Sequence, residues 1–241
     1  MNTGPIGNSE LTNKIPAQRI FVVIPVYNED PAILSTVINK LKYLEFTIVV
    51  IDDGSQRSAS DILANEPVIV LTHPLNLGQG AALQTGIEYA KMLHADIVVT
   101  FDADGQHSAA DVSVLIEPLL KNQADIVMGS RFLSPGMHIP FTRKIVLQLA
   151  RWVNFLFTGI LLTDAHNGLR AFGKSALEKI IITENRMAHA SEILFEIKKH
   201  RLKFIEVPVS IEYSSYAKKK GQSVWDSIKV LFDLILHKLF K

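Results

Sequence analysis

The sequence predicts an α/β fold: a doubly wound, mostly parallel sheet with helices on both faces. Three observations carry the prediction. Short apolar runs alternate with helical spacings through the first half. The runs are apolar along most of their length rather than at every second residue, as strands covered on both faces require. Polar clusters stand directly after four of the runs, where the carboxyl ends of parallel strands collect ligands.

In order, residues 20–25 (IFVVIP) read as the first strand and 31–43, by its spacing, as a helix. Residues 47–51 (TIVVI) and 68–71 are the next strands, and 79–93 a helix. Residues 96–101 (DIVVTF) give a fourth strand, 111–121 a helix and 125–128 a fifth strand. The second half is less regular. It predicts an apolar helix over 143–160, a strand-like segment near 169–172, a helix over 190–200 and an extended stretch over 204–213. A basic loop at 218–221 and a last helix over 224–240 follow. The expected organisation is a flexible leader over 1–18, one domain over 19–223 and an amphipathic helix over 224–241.

Composition narrows the function classes. The 241 residues suit one α/β domain, and 48% apolar against 20% charged residues permits a sizeable core. Mean hydropathy is +0.20, high for a freely soluble domain. A net charge of +1 and the absence of a recognition motif argue against nucleic acid as a partner. The chain has no cysteine, so disulfides and thiolate metal sites are excluded. No targeting signal opens the chain, and no apolar run reaches the length of a membrane span; 145–163 is interrupted by Gln148, Arg151 and Asn154.

The four clusters are Pro25-Val26-Tyr27-Asn28-Glu29, Asp52-Asp53-Gly54-Ser55, Asn76-Leu77-Gly78-Gln79-Gly80 and Asp102-Ala103-Asp104-Gly105-Gln106-His107. Each alone reads as a turn; together they converge on one sheet edge. Asp102 and Asp104 are sharpest. In an extended segment they point the same way, so both carboxylates can address one hard divalent cation, with a Gln106 oxygen in reach. Such an ion neutralises a diphosphate and improves it as a leaving group. A dinucleotide fingerprint fails, because Leu83 stands where Gly or Ala is needed and the glycines follow the third strand. Gly78 and Gly80 are read instead as letting the backbone approach a ligand. His107, His166 and His189 read as turn or core histidines.

As an ordered set, these clusters and Gly129-Ser130-Arg131-Phe132 resemble the signature of family 2 glycosyltransferases with the GT-A fold. The nearest likeness is to the dolichyl-phosphate mannose synthase and polyprenyl-phosphate glycosyltransferase group. Asp164-Ala165-His166-Asn167-Gly168-Leu169-Arg170, Glu206-Val207-Pro208-Val209 and Lys219-Lys220-Gly221-Gln222-Ser223 are similar to that group's later segments, though Asn167 replaces a smaller residue. The resemblance implies that Pro25, Tyr27 and Glu29 line a base and ribose pocket, that Asp53 hydrogen-bonds the base, and that Gly78, Gly80 and Ala103 lie along the nucleotide sugar. It implies Mg²⁺ or Mn²⁺ on Asp102, Asp104 and Gln106. It makes Arg131, Arg143 and Arg170 candidates for an acceptor phosphate, where a planar fork suits bidentate binding. Lys219 and Ser223 would close over the diphosphate, and Asp104, Arg131, Asp164 and Lys219 would be the catalytic group. Gln148-Leu149-Ala150-Arg151-Trp152 matches the Q-x-x-R-W of processive synthases, but lies upstream of Asp164 and is read as coincidence.

The implied reaction is an inverting displacement from a UDP- or GDP-sugar. A polyprenyl phosphate acceptor would need alignment more than a base. A glycan hydroxyl, the alternative acceptor, would need a base, with Asp164 or Glu192 as candidates. A catalytically silent nucleotide-sugar binder is a third reading, opposed by the intact Asp102/Asp104 pair. From 198 to 241 ten Lys/Arg stand against four Asp/Glu. Trp225, Ile228, Leu231, Phe232, Ile235 and Leu239 share one face of the last helix. That pattern fits a helix lying on an anionic membrane or against a small membrane-protein partner, at the cytoplasmic face.

Overall fold

The computed structural model describes residues 18–134, 151–152, 155–156, 159–164 and 167–212. The elements are β1 (Ile20–Val26), α1 (Pro31–Leu41) with a 3₁₀ turn (Lys42–Leu44), β2 (Thr47–Asp52), α2 (Ala59–Ile62), β3 (Ile69–Thr72), α3 (Gln79–Met92), β4 (Ile97–Thr100), α4 (Ala110–Leu120), β5 (Ile126–Ser130), β6 (Arg170–Gly173), α5 (Lys174–Lys179), α6 (His189–His200) and β7 (Phe204–Pro208). The helix expected over 143–160 lies mostly outside the described residues, and the C-terminal helix entirely so.

The seven strands run in the order β3-β2-β1-β4-β6-β5-β7. Alternate residues of β1 serve two cores. Phe21 and Val23 pack with Leu83 and Ile87 of α3, Leu177 of α5 and Ile193 and Ile197 of α6. Val22 and Ile24 pack with Leu34 and Ile38 of α1 and Leu115 of α4. Burial on both faces explains the nearly unbroken apolar strands. Each fully buried Leu or Ile contributes about 1.5–3 kcal/mol, so the central strands are the rigid base on which the edge loops stand.

β1 to β4 are mutually parallel, and β7 is parallel to β5. β6 runs antiparallel to both of its neighbours, pairing Thr100 with Arg170 and Met128 with Arg170. β5 ends at the ligand-bearing edge, and the chain re-enters the sheet from that same edge at Arg170, so β6 must run back. The extended stretch expected over 204–213 pairs with β5 only as far as Pro208. It then crosses the edge: Ser210 N–H donates to Asp111 Oδ2 at 2.7 Å, Ile211 bridges His107, and Glu212 N–H donates to the Gln106 carbonyl at 2.8 Å.

Local chemistry sets the ends of elements at the edge. Asp30 caps α1, accepting from Ala32 N–H at 2.8 Å, with Pro31 at the first helical position. Asp52, fully buried, accepts from Ser55 N–H at 3.0 Å and Ala59 N–H at 2.8 Å and so shapes the turn leaving β2.

Candidate functional site

The carboxyl ends of β1 to β5 and the amino end of β6 meet at one edge and enclose a cleft of about 620 Å³. Pro25, Tyr27, Glu29, Asp53 and Gly78 line one end of the strand order. Asp102, Ala103, Asp104 and Gln106 line the middle, and Arg131 and Arg170 the far end. Asp164 is not among the lining residues but lies beside them, bonded to Arg131. Gly80 is not among the lining residues either. Arg143, Lys219 and Ser223 lie outside the described residues.

Asp53 is buried, and its two oxygens accept four hydrogen bonds: from His73 Nδ1–H at 2.7 Å, Asn76 Nδ2 at 3.0 Å, Leu77 N–H at 3.0 Å and Gly78 N–H at 2.7 Å. A carboxylate offers about four acceptor sites. It thereby folds residues 73–78 into the cleft wall and is itself among the lining residues. His73 Nε2 meets Thr85 Oγ1 at 2.9 Å, tying that loop to α3. Gly78 lines the cleft, and both glycines also meet the chain itself. A Cβ on Gly78 would stand 2.3 Å from the Asn185 carbonyl oxygen, and one on Gly80 2.0 Å from that of Glu184. The protein's own 184–186 segment packs against them, and its Asn185 carbonyl accepts from Ala81 N–H at 3.2 Å in the first turn of α3.

Asp102 follows β4 directly and Asp104 stands in the turn after it, so the two are not on one extended segment as expected. Asp102 accepts from Gln79 Nε2 at 3.1 Å and lies 3.2 Å from His107 Nε2. Burial pushes its carboxyl up, but the His107 bond and the neighbouring His107, His189 and Arg170 charges outweigh this and hold it below the usual carboxylate range. Asp104 goes the other way: burial raises it, and the Asp102 carboxylate adds repulsion. Gln106 steadies Asp104 through its backbone N–H at 3.0 Å and its side-chain amide. The Gln106 backbone carbonyl accepts from Glu212 N–H, and its side-chain amide oxygen is a second oxygen available to a metal. Two mutually repelling carboxylates in one cleft fit a hard divalent ion. Among the described residues no group of three or more His, Asp or Glu is placed to hold a metal ion.

Gly168 presses on this pair. A Cβ there would stand 2.3 Å from Asp102 Oδ2, while Thr100 Oγ1–H holds the Gly168 carbonyl at 2.7 Å. Gly168→Ala is therefore expected to displace the Asp102 carboxylate and weaken Mn²⁺ binding at least tenfold, at a stability cost of about 1–3 kcal/mol. Calorimetric Mn²⁺ titration beside a denaturant melt checks both.

At the far end Arg131 donates to Asp164 Oδ2 from Nε at 2.6 Å and from its backbone N–H at 3.1 Å. Glu206 holds the turn that presents Asp164, accepting from Thr163 N–H at 2.8 Å and Asp164 N–H at 3.1 Å. Asp164 Oδ1 is buried without a hydrogen-bond partner. Arg170 donates from Nε to the Asn167 carbonyl at 3.1 Å and from Nη1 to the Ala190 carbonyl at 3.3 Å. Burial lowers its pKa to about 10 against the pull of Asp102 and Asp164. Glu192, named as a possible base, accepts instead from Thr183 and Glu184 N–H and packs the loop entering α6.

Sequence reasoning missed the wall made by Arg186, Met187, His189, Ala190 and Ile193. His189 Nδ1 donates to the Arg186 carbonyl at 2.7 Å. Burial lowers its pKa to about 4. Below pH 6.5 the unfolded chain takes up a proton that the folded chain refuses until about pH 4, so stability falls on acidification. The loss through this residue reaches about 2 kcal/mol at pH 5. Urea midpoints at pH 7 and pH 5 measure it, and His189→Gln is expected to flatten the difference.

A strand-ordered edge with a carboxylate pair at its centre and guanidinium groups beyond it has the layout of a nucleotide-dependent transferase. The family model described as glycosyl transferase family 2 matches residues 21–181, and the chain belongs to that family of sugar-transferring enzymes. It is 34% identical to the UDP-N-acetylglucosamine–dolichyl-phosphate N-acetylglucosaminyltransferase of Methanococcus voltae, over 92% of this chain and 97% of that one. It is 29% identical to the dolichol-phosphate mannosyltransferase of Pyrococcus furiosus, over 90% of this chain and 64% of that one. The glucosyl-3-phosphoglycerate synthase of Mycobacterium tuberculosis, solved with Mn²⁺, UDP and glucosyl-3-phosphoglycerate, superposes with a TM-score of 0.67 at 20% identity, over 90% of this chain and 80% of that one. That likeness establishes the fold, GT-A.

Proposed function

We propose that this enzyme moves a sugar from a nucleoside diphosphate, with Mg²⁺ or Mn²⁺, to a polyprenyl phosphate, inverting the anomeric carbon. The observation that carries the reading is the linear order of the cleft. Tyr27, Glu29 and the loop folded by Asp53 form the nucleoside end over β1 to β3. Asp102, Asp104 and Gln106 lie at β4 for the diphosphate, and Arg131 and Arg170 lie beyond it at β5 and β6 for an acceptor anion. The names of both relatives, with dolichyl or dolichol phosphate as acceptor, support the same reading.

A phosphate oxygen of the acceptor attacks the anomeric carbon while the bond from that carbon to the diphosphate oxygen breaks, and the nucleoside diphosphate leaves with the electron pair. A bound divalent ion would supply charge neutralisation on the departing diphosphate. The chain's own residues orient the reactants: Gln79 and His107 fix Asp102, Gln106 fixes Asp104, and the 163–170 turn sets the guanidinium groups. A hydroxyl acceptor would need a base. Of the two carboxylates named for that task, Glu192 is committed to Thr183 and Glu184, and Asp164 is ion-paired through Oδ2 to Arg131, an arrangement that suits an acceptor that is already an anion.

Among the described residues no helix is long and apolar enough to cross a membrane. The basic, amphipathic 224–241 segment is proposed to hold the enzyme on the cytoplasmic face of the membrane, directly or through a small membrane protein. Truncation before Val224 is expected to abolish flotation with anionic liposomes. The reaction is tested with radiolabelled UDP- and GDP-sugars and polyprenyl phosphate. Label entering the organic phase supports the reading, and label appearing only in water-soluble glycan refutes it.

A further inference from the structure

We propose that the sugar carried into this cleft is an N-acylated amino hexose, its amide N–H donated to His189 Nε2 and its acyl methyl laid against Leu83, Ala190 and Ile193. The inference rests on the nucleotide-sugar reading above and names the sugar class which that reading leaves open.

The strand order locates the sugar. With the nucleoside over β1 to β3 and the diphosphate at β4, the next group along the edge lies over β6 and the first turn of α6. Two helix starts form its wall. Gln79, Ala82 and Leu83 face the cleft from α3, at the spacing that stacks one above the other on a helix, and His189, Ala190 and Ile193 do so from α6. Gln79 has its amide on Asp102. Beside His189 the wall is apolar at Ala82, Leu83, Ala190 and Ile193, with the exposed Arg186 completing it.

The His189 tautomer is fixed. A carbonyl oxygen can only accept, so Nδ1 carries the proton given to the Arg186 carbonyl. Nε2 is left as a lone pair in a residue lining the cleft, and no described residue pairs with it. The facing ligand atom must therefore be a donor. A hydroxyl in the same place would give its proton to Nε2 and turn its own lone pairs to the aliphatic carbon of Ala190 and Ile193, an unfavourable burial. An N-acyl group matches both features: its N–H is a donor without an accompanying acceptor, and its methyl suits the alanine and isoleucine beside it.

The test uses the full-length chain with Mn²⁺. Equilibrium binding of UDP-N-acetylglucosamine, UDP-glucose, UDP and GDP-mannose is measured without acceptor, then transfer to polyprenyl phosphate. UDP-N-acetylglucosamine is expected to bind about tenfold tighter than UDP-glucose, the scale of one methyl-sized contact plus a hydrogen bond. Ala190→Leu, which fills the acyl space, is expected to bring the two within about twofold of each other; UDP binding reports whether that variant is folded. Equal binding of UDP-glucose by the unaltered chain, or tighter binding of GDP-mannose, overturns the proposal. So does an Ala190→Leu variant that leaves the donor ratio intact and raises KM for polyprenyl phosphate, because the wall would then belong to the isoprenoid. A preserved donor ratio with no transfer to polyprenyl phosphate would instead sink the acceptor reading and leave this one standing.

Discussion

Asp104→Asn is expected to lower sugar transfer on the order of a thousandfold while the protein melts no lower than the unaltered chain. The two halves of that result have one cause. The Asp104 carboxyl is raised by burial and by the Asp102 carboxylate, so its ionised form is a cost to the metal-free fold near neutral pH. Replacing it with an isosteric neutral amide removes that repulsion, and Gln106 N–H keeps an acceptor oxygen. If the charge serves only the fold, the variant should melt lower and retain activity. If it serves a divalent ion on the diphosphate, melting is unchanged or higher, and both Mn²⁺ binding and transfer fall. Thermal melts with and without Mn²⁺ separate the cases: the ion should raise the melting temperature of the unaltered protein and not that of the variant. Retained transfer in a folded variant would remove the metal assignment.

The positions that sequence reasoning located well are those where one short segment determines the outcome. An apolar run buried on both faces must be a central strand, and the cluster after it must stand at the edge. Pro25, Tyr27, Glu29, Asp102 and Asp104 were placed in the cleft by that rule alone. The rule is silent on contacts that distant segments bring. Asp53 looks like a ligand group, but the donors that saturate it come from residues 73–78. Gly78 and Gly80 look like ligand glycines, but the carbonyls over them come from 184–185. The direction of β6 could not be read, because it depends on the chain returning to the edge it left. His73 could have been found, since it follows β3 at the same edge. Arg186 and Met187 could not, because no periodicity marks a loop that folds over another helix's first turn. Glu206 belongs to a segment similar to the family group's, but that likeness gives it no role, and only the structure shows it fixing the turn that brings Asp164 to Arg131.

That pair gives the second large effect. Arg131 and Asp164 are buried together, with Asp164 Oδ2 receiving both the guanidinium and the backbone N–H of Arg131. Breaking a buried pair by removing one partner leaves an uncompensated charge, so Asp164→Leu is expected to cost about 3–5 kcal/mol, read as a shift in urea midpoint. Replacing both members costs far less, because neither charge is then stranded. Arg131→Met/Asp164→Leu should recover most of the lost stability. The double variant separates scaffold from function. Its nucleoside end and its carboxylate pair are untouched, so Mn²⁺ and UDP should bind as before. If Arg131 meets the acceptor phosphate, KM for polyprenyl phosphate should rise at least tenfold, the loss of a charge-assisted bidentate contact. A pair that serves only to brace the turn predicts normal transfer once the fold is restored. The orphaned Asp164 Oδ1 argues against bracing alone, since a purely structural carboxylate would be expected to have both oxygens satisfied. Wild-type acceptor kinetics in a folded double variant would move the acceptor site off this end of the sheet edge and leave Arg170 to carry it.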